Sequence, residues 1–171
     1  MTYRTKTYIA GDWTGDENLI NQLYKWNQSE YWGLHFIDAH ELTSSRDSSK
    51  PCSIKRSLST RLDASKTFVL VVGSNTLGLT KGSCRWCSSY DSYHSRCHAG
   101  GNVDYRSFVD YECEKAKRDN LKIVVLYNFA NIYKDKCPES VRYTGQHLAA
   151  YYYSNGQAYW NYTAIKNAIM Y

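Results

Sequence analysis

Apolar positions along the chain switch between two periods. Thr5–Ala10 is a short β-rich run ended by Gly11. From Asp16 to Ser29, Leu19, Ile20, Leu23 and Trp26 recur at helical spacing, with Asp16 placed to cap the helix. Gly33–Asp38, with Leu34, Phe36 and Ile37, reads as a second strand, and a polar loop runs to Lys50. Pro51 opens a helix whose Ile54, Leu58 and Leu62 form one apolar stripe; a proline at the first helical position removes no needed N–H. Lys66–Val72 contains Phe-Val-Leu-Val-Val, a continuous run expected of a strand covered on both faces.

Beyond Gly73 the pattern breaks. Gly78–Tyr105 has no periodicity and holds four glycines, three cysteines and two histidines. Arg106–Asn120 is predicted helical, Leu121–Tyr127 a second buried strand, His147–Tyr153 a fifth strand and Tyr159–Tyr171 a last helix. Alternation of this kind predicts one α/β domain over residues 1–171: a flavodoxin-like parallel five-stranded sheet of order 2-1-3-4-5 with helices on both faces. The Cys-rich segment 78–105 is an insertion before the helix that carries Glu112. Ligands of such sheets bind beyond the carboxyl ends of the strands, which directs attention to Gly11–Asp16, Asp38–Asp47, Gly73–Thr76 and the helix opening near Arg106.

Composition changes this picture little. The 171 residues carry a net charge of +5 without a Lys/Arg block, so neither nucleic acid nor an anionic membrane is demanded. Aliphatic residues are sparse, but 17 Tyr and 5 Trp supply apolar area. No apolar stretch is long enough for a membrane span, and Met1–Ala10 lacks the apolar core of a signal peptide. A cytosolic setting is expected, in which the six cysteines read as thiols or metal ligands before disulfides.

Candidate chemistry then narrows to a few residues. No Walker loop, G-x-G-x-x-G or nucleophile elbow is present. Glu112 lies four and three positions after Phe108 and Val109 and four before Ala116, which puts a carboxylate on the apolar stripe of its helix. Such a group is either a boundary Glu satisfied by a neighbouring Lys or hydroxyl, or a carboxylate in use. Asp12, Asp38, Ser74 and Asn75 sit at strand ends, where capping, turn and ligand-binding roles are all open. Cys84-Arg-Trp-Cys87, followed by Cys97-His98, resembles a set of zinc ligands. A structural zinc on Cys84, Cys87, Cys97 and a fourth ligand (His98, His94 or Cys113) would order a segment that has no core of its own.

The string Phe108-Val109-Asp110-Tyr111-Glu112 ahead of Ile123-Val124-Val125-Leu126 resembles the helix bearing the catalytic Glu in TIR domains. Tyr8-Ile9-Ala10, Asp38-Ala39-His40, Arg46-Asp47, Ser53-Ile54-Lys55 and Gly73-Ser74-Asn75-Thr76 are similar to successive segments of the bacterial TIR-like proteins that include the Thoeris defence component ThsB. The resemblance covers about residues 5 to 150; the Cys-rich insertion is a departure from the simplest members. It implies cleavage of the nicotinamide–ribose bond of NAD and an ADP-ribose-derived, cyclic or conjugated signal. Glu112 would be the catalytic carboxylate, with Asp12, Asp38, Ser74 and Asn75 lining the NAD site. The implied partners are a separate effector protein that receives the signal, a phage-derived trigger and further copies of the chain. A TIR scaffold acting only by homotypic assembly would share the same fold.

Overall fold

The computed structural model describes residues 3–39 and 50–171. In chain order its elements are β1 (Lys6–Ala10), α1 (Glu17–Gln28), α2 (Pro51–Asp63), β2 (Ser65–Val72), β3 (Tyr90–Asp91), β4 (Arg96–Cys97), α3 (Phe108–Arg118), β5 (Lys122–Tyr127), β6 (Gln146–Ala149), β7 (Tyr151–Ser154), β8 (Gln157–Trp160) and α4 (Tyr162–Met170).

Four strands, in the order β1-β2-β5-β6, form a parallel sheet. The α/β class and the parallel sheet are as expected, but five strands in the order 2-1-3-4-5 are not what forms. The predicted strand Gly33–Asp38 is reduced to one parallel bridge between Thr7 and Asp38. Two local causes act. Gly33 and His35 both have positive φ (61° and 45°), which breaks the extended backbone. The backbone N–H and C=O of Phe36 are also both taken by the side-chain amide of Asn27, at 2.7 and 3.0 Å, so neither is left for a ladder.

The predicted fifth strand, His147–Tyr153, divides. Its first half pairs with β5, and its second half leaves the sheet to form the antiparallel hairpin β7–β8. Tyr159 and Trp160 are therefore strand, and the last helix starts only at Tyr162. The hairpin turns at Asn155-Gly156, both with positive φ, the dipeptide favoured by tight two-residue turns.

Alternate side chains of the sheet feed two cores. Tyr8, Phe68, Leu70 and Val72 pack under the stripes of α2 (Leu58, Leu62) and α3 (Val109, Cys113, Ala116). Ile9, Val69 and Val71 pack on the other face against α1 and α4. Among the described residues no helix is long and apolar enough to cross a membrane.

Candidate active site

Helix α3 is anchored at its start. Ser107 caps it by accepting the Asp110 N–H (3.1 Å), and the Phe108 N–H reaches back to the Lys81 carbonyl (2.8 Å). One turn further on, Glu112 is 7% exposed, on the inward stripe its spacing predicts. The Tyr8 hydroxyl, on β1, donates a hydrogen bond to Glu112 Oε1. The Tyr8 ring is itself fully buried and stacks on Phe68, with centroids 5.9 Å apart. Burial pushes the Glu112 carboxyl up to about 7, opposed by the Tyr8 hydrogen bond and the positive charge of Arg61 on α2. The same burial and the neighbouring carboxylate push the Tyr8 phenol up, which keeps it a donor. A carboxyl balanced near neutrality can stabilise a developing cation when ionised.

Asp12, Ser74 and Asn75 do come together. With Gly15, Asp16 and Asn128 they line a cleft of about 220 Å³ beyond the carboxyl ends of β1, β2 and β5. Asp12 Oδ1 accepts the Thr14 N–H (3.1 Å), fixing the turn after β1. The capping role expected of Asp16 is not observed, since its side chain caps no N–H of α1. It is instead buried against Gly73 and accepts a hydrogen bond from Asn128 Nδ2 (2.8 Å). Burial raises the Asp16 pKa, and the Asn128 bond opposes the shift. A Cβ on Gly73 would stand 2.0 Å from Asp16 Oδ1, so only glycine fits there.

Glu112 and Asp38 are not part of this cleft's lining. Asp38 lies beside β1, where its carboxylate accepts the Tyr24 hydroxyl at 2.9 Å. His40, Arg46 and Asp47 lie outside the described residues. Sequence patterning marks neither Tyr8, in the middle of β1, nor Asn128 as a polar participant. Asn128, the first residue after β5, has the same strand-end signal as Ser74.

The proposed zinc ligands are not assembled. Among the described residues no three His, Cys, Asp or Glu side chains are placed to hold a metal ion. Cys84 is buried and its Sγ accepts the Asp104 N–H at 3.3 Å, while the His98 ring lies beside Asp91 (3.6 Å). Cys87 and Cys97 are half-buried around the small β3–β4 hairpin. The segment is held by polar contacts instead. Asp104 pairs with Arg106 (2.9 Å) and with the buried Lys55 (3.2 Å), and Lys55 also donates to the Arg106 carbonyl (2.8 Å). Arg85 lies over the Tyr105 ring, 4.7 Å from its centroid.

Residues 8–81 match the family model of the Thoeris protein ThsB, TIR-like domain. Over those residues the chain resembles the TIR-like domain of Thoeris ThsB. The matched stretch takes in Tyr8, Asp12, Asp38, Ser74 and Asn75 and ends before α3, so Glu112 lies beyond it. No curated protein gives a significant match.

Proposed function

We propose that this protein is an NAD-consuming enzyme of anti-phage defence, which cleaves the nicotinamide–ribose bond and makes an ADP-ribose-derived, cyclic signal for a separate effector. The observation that carries the reading is the Glu112 carboxyl, buried on the inward face of α3 and hydrogen-bonded by Tyr8, in a chain that resembles a TIR-like domain over residues 8–81. When the C1′–N bond breaks, its electron pair goes to the pyridinium nitrogen and neutral nicotinamide leaves. No general acid is required. The positive charge passes to the ribose, where an ionised Glu112 stabilises the oxocarbenium-like centre. Attack by an adenine nitrogen closes a ring; attack by water, with loss of a proton, gives ADP-ribose. Asp12, Ser74 and Asn75 contribute polar groups to a cleft smaller than a whole dinucleotide needs, so they would hold one part of the substrate.

The depth of Glu112 favours a second reading, a TIR scaffold that signals by homotypic assembly, with Glu112 serving the core. Incubation with NAD, with and without extract of phage-infected cells, separates the two. Mass analysis should find nicotinamide and an ADP-ribose product from the wild type and none from Glu112→Gln. Absence of product from both, with extract present, selects the scaffold.

A further inference from the structure

On the sheet face opposite Glu112 lies a groove of about 630 Å³, within the range of small-molecule sites. Its walls come from three elements: Trp26 and Trp32 from the end of α1 and the turn beyond it, Tyr152 and Tyr159 from the β7–β8 hairpin, and Trp160 and Tyr162 where the hairpin runs into α4. Packing explains only part of this cluster. Trp26 is 2% exposed and belongs to the core, but Trp32, Tyr152 and Tyr159 remain 41%, 49% and 44% exposed. Trp32 meets Tyr162 edge-on with centroids 4.8 Å apart, and Tyr152 and Tyr159 are a near-parallel cross-strand pair, 25° apart. Wet aromatic faces on facing elements form a stacking surface for a flat ring.

Charge and hydrogen bonding narrow the ligand. Among the described residues Lys25 is the one charged side chain lining the groove, and Lys166 approaches the Tyr162 ring (5.9 Å). Neither lysine has a carboxylate partner among the described residues. The Tyr162 hydroxyl oxygen is buried and has no hydrogen-bond partner among the described residues. A cationic ligand would be opposed by both lysines, and a neutral sugar would use neither. A planar ring bearing an anionic group uses the aromatic walls and the lysine together. We infer that this groove binds a mononucleotide, its base against the aromatic walls and its phosphate at Lys25. The groove is separated from Glu112 by the sheet, so it senses a nucleotide rather than consuming one, and it does not depend on the NAD reading.

Trp26, Trp32 and Trp160 make tryptophan fluorescence the natural readout. Titration with AMP should quench it saturably, adenosine should bind about fivefold more weakly, and inorganic phosphate should leave it unchanged. Trp32→Ala should weaken AMP by about tenfold, read by calorimetry, and Lys25→Ala by about fivefold. Both variants should keep the wild-type melting temperature and any NAD turnover. The inference is overturned by the absence of saturable AMP binding at millimolar concentration or by AMP affinity unchanged in both variants. It is equally overturned by a loss of affinity in Asn75→Ala instead, or by a short single-stranded DNA that binds where AMP does not.

Discussion

Tyr8 and Glu112, 104 positions apart in the chain, are joined by a buried hydrogen bond between the first strand and the third helix. Burial sets the state of the carboxyl, and this bond opposes it. Desolvation disfavours its charge, and the Tyr8 hydroxyl and Arg61 return part of what hydration would have supplied, leaving the group near neutrality.

Tyr8→Phe keeps the ring and its stacking on Phe68 but removes the donor. The carboxyl should then titrate above about 7, moving the rise of kcat/KM to higher pH. Urea unfolding should show a loss of about 1–3 kcal/mol at alkaline pH, where Glu112 is ionised, and a smaller loss in acid. An equal loss at both, with an unmoved pH–rate profile, would reduce Tyr8 to a packing residue.

Glu112 should make stability and activity run in opposite directions with pH. Its folded pKa is raised from 4.5 to about 7, so the folded protein binds the extra proton between those values. Its contribution to stability is complete below the unfolded pKa and is lost as pH rises through about 7, by at most about 3 kcal/mol. Turnover needs the ionised form and should rise over the same window. Glu112→Gln should flatten the difference in melting temperature between acid and neutral pH and lower NAD turnover by about 100-fold. An unchanged pH dependence of melting would show that Glu112 titrates normally.

Gly73→Ala should destabilise the fold by about 1–3 kcal/mol, because the new methyl group overlaps the Asp16 carboxylate. The double variant Gly73→Ala/Asp16→Ala should recover most of that loss. Denaturant unfolding of the four proteins in the cycle measures the coupling; simple additivity would mean that the Asp16 contact is not the cause.

Asp104 should control order in the 78–105 segment. Partial burial raises its pKa, but Arg106 and Lys55 outweigh this and hold it at about 2. Its contribution is therefore present above the usual carboxylate range and lost as pH falls toward about 2. Asp104→Ala leaves the buried Lys55 without its carboxylate, and should lower stability on the order of 1 kcal/mol and speed proteolysis within the segment severalfold. Unchanged cleavage would place the anchor elsewhere, Cys84 being the next contact to test.

The centre of the sheet and the facing of α3 are legible in the residue pattern alone. The run Phe68–Val72 is apolar on both faces and became a central strand, and the spacing of Phe108, Val109 and Ala116 put Glu112 inward. Strand-end placement also brought Asp12, Ser74 and Asn75 to one cleft. Periodicity reports which side of an element meets the core, because burial acts residue by residue. It does not report which polar group meets another across the core. That Tyr8 rather than a lysine satisfies Glu112, that Asp16 turns from its helix toward Asn128, and that Asn27 takes the backbone groups of Phe36 and dissolves a strand were all decided by tertiary structure. The cysteines follow the same rule: local spacing suggests a metal, but ligation needs convergence in space, and among the described residues the segment instead shows the contacts of Asp104 with Lys55 and Arg106.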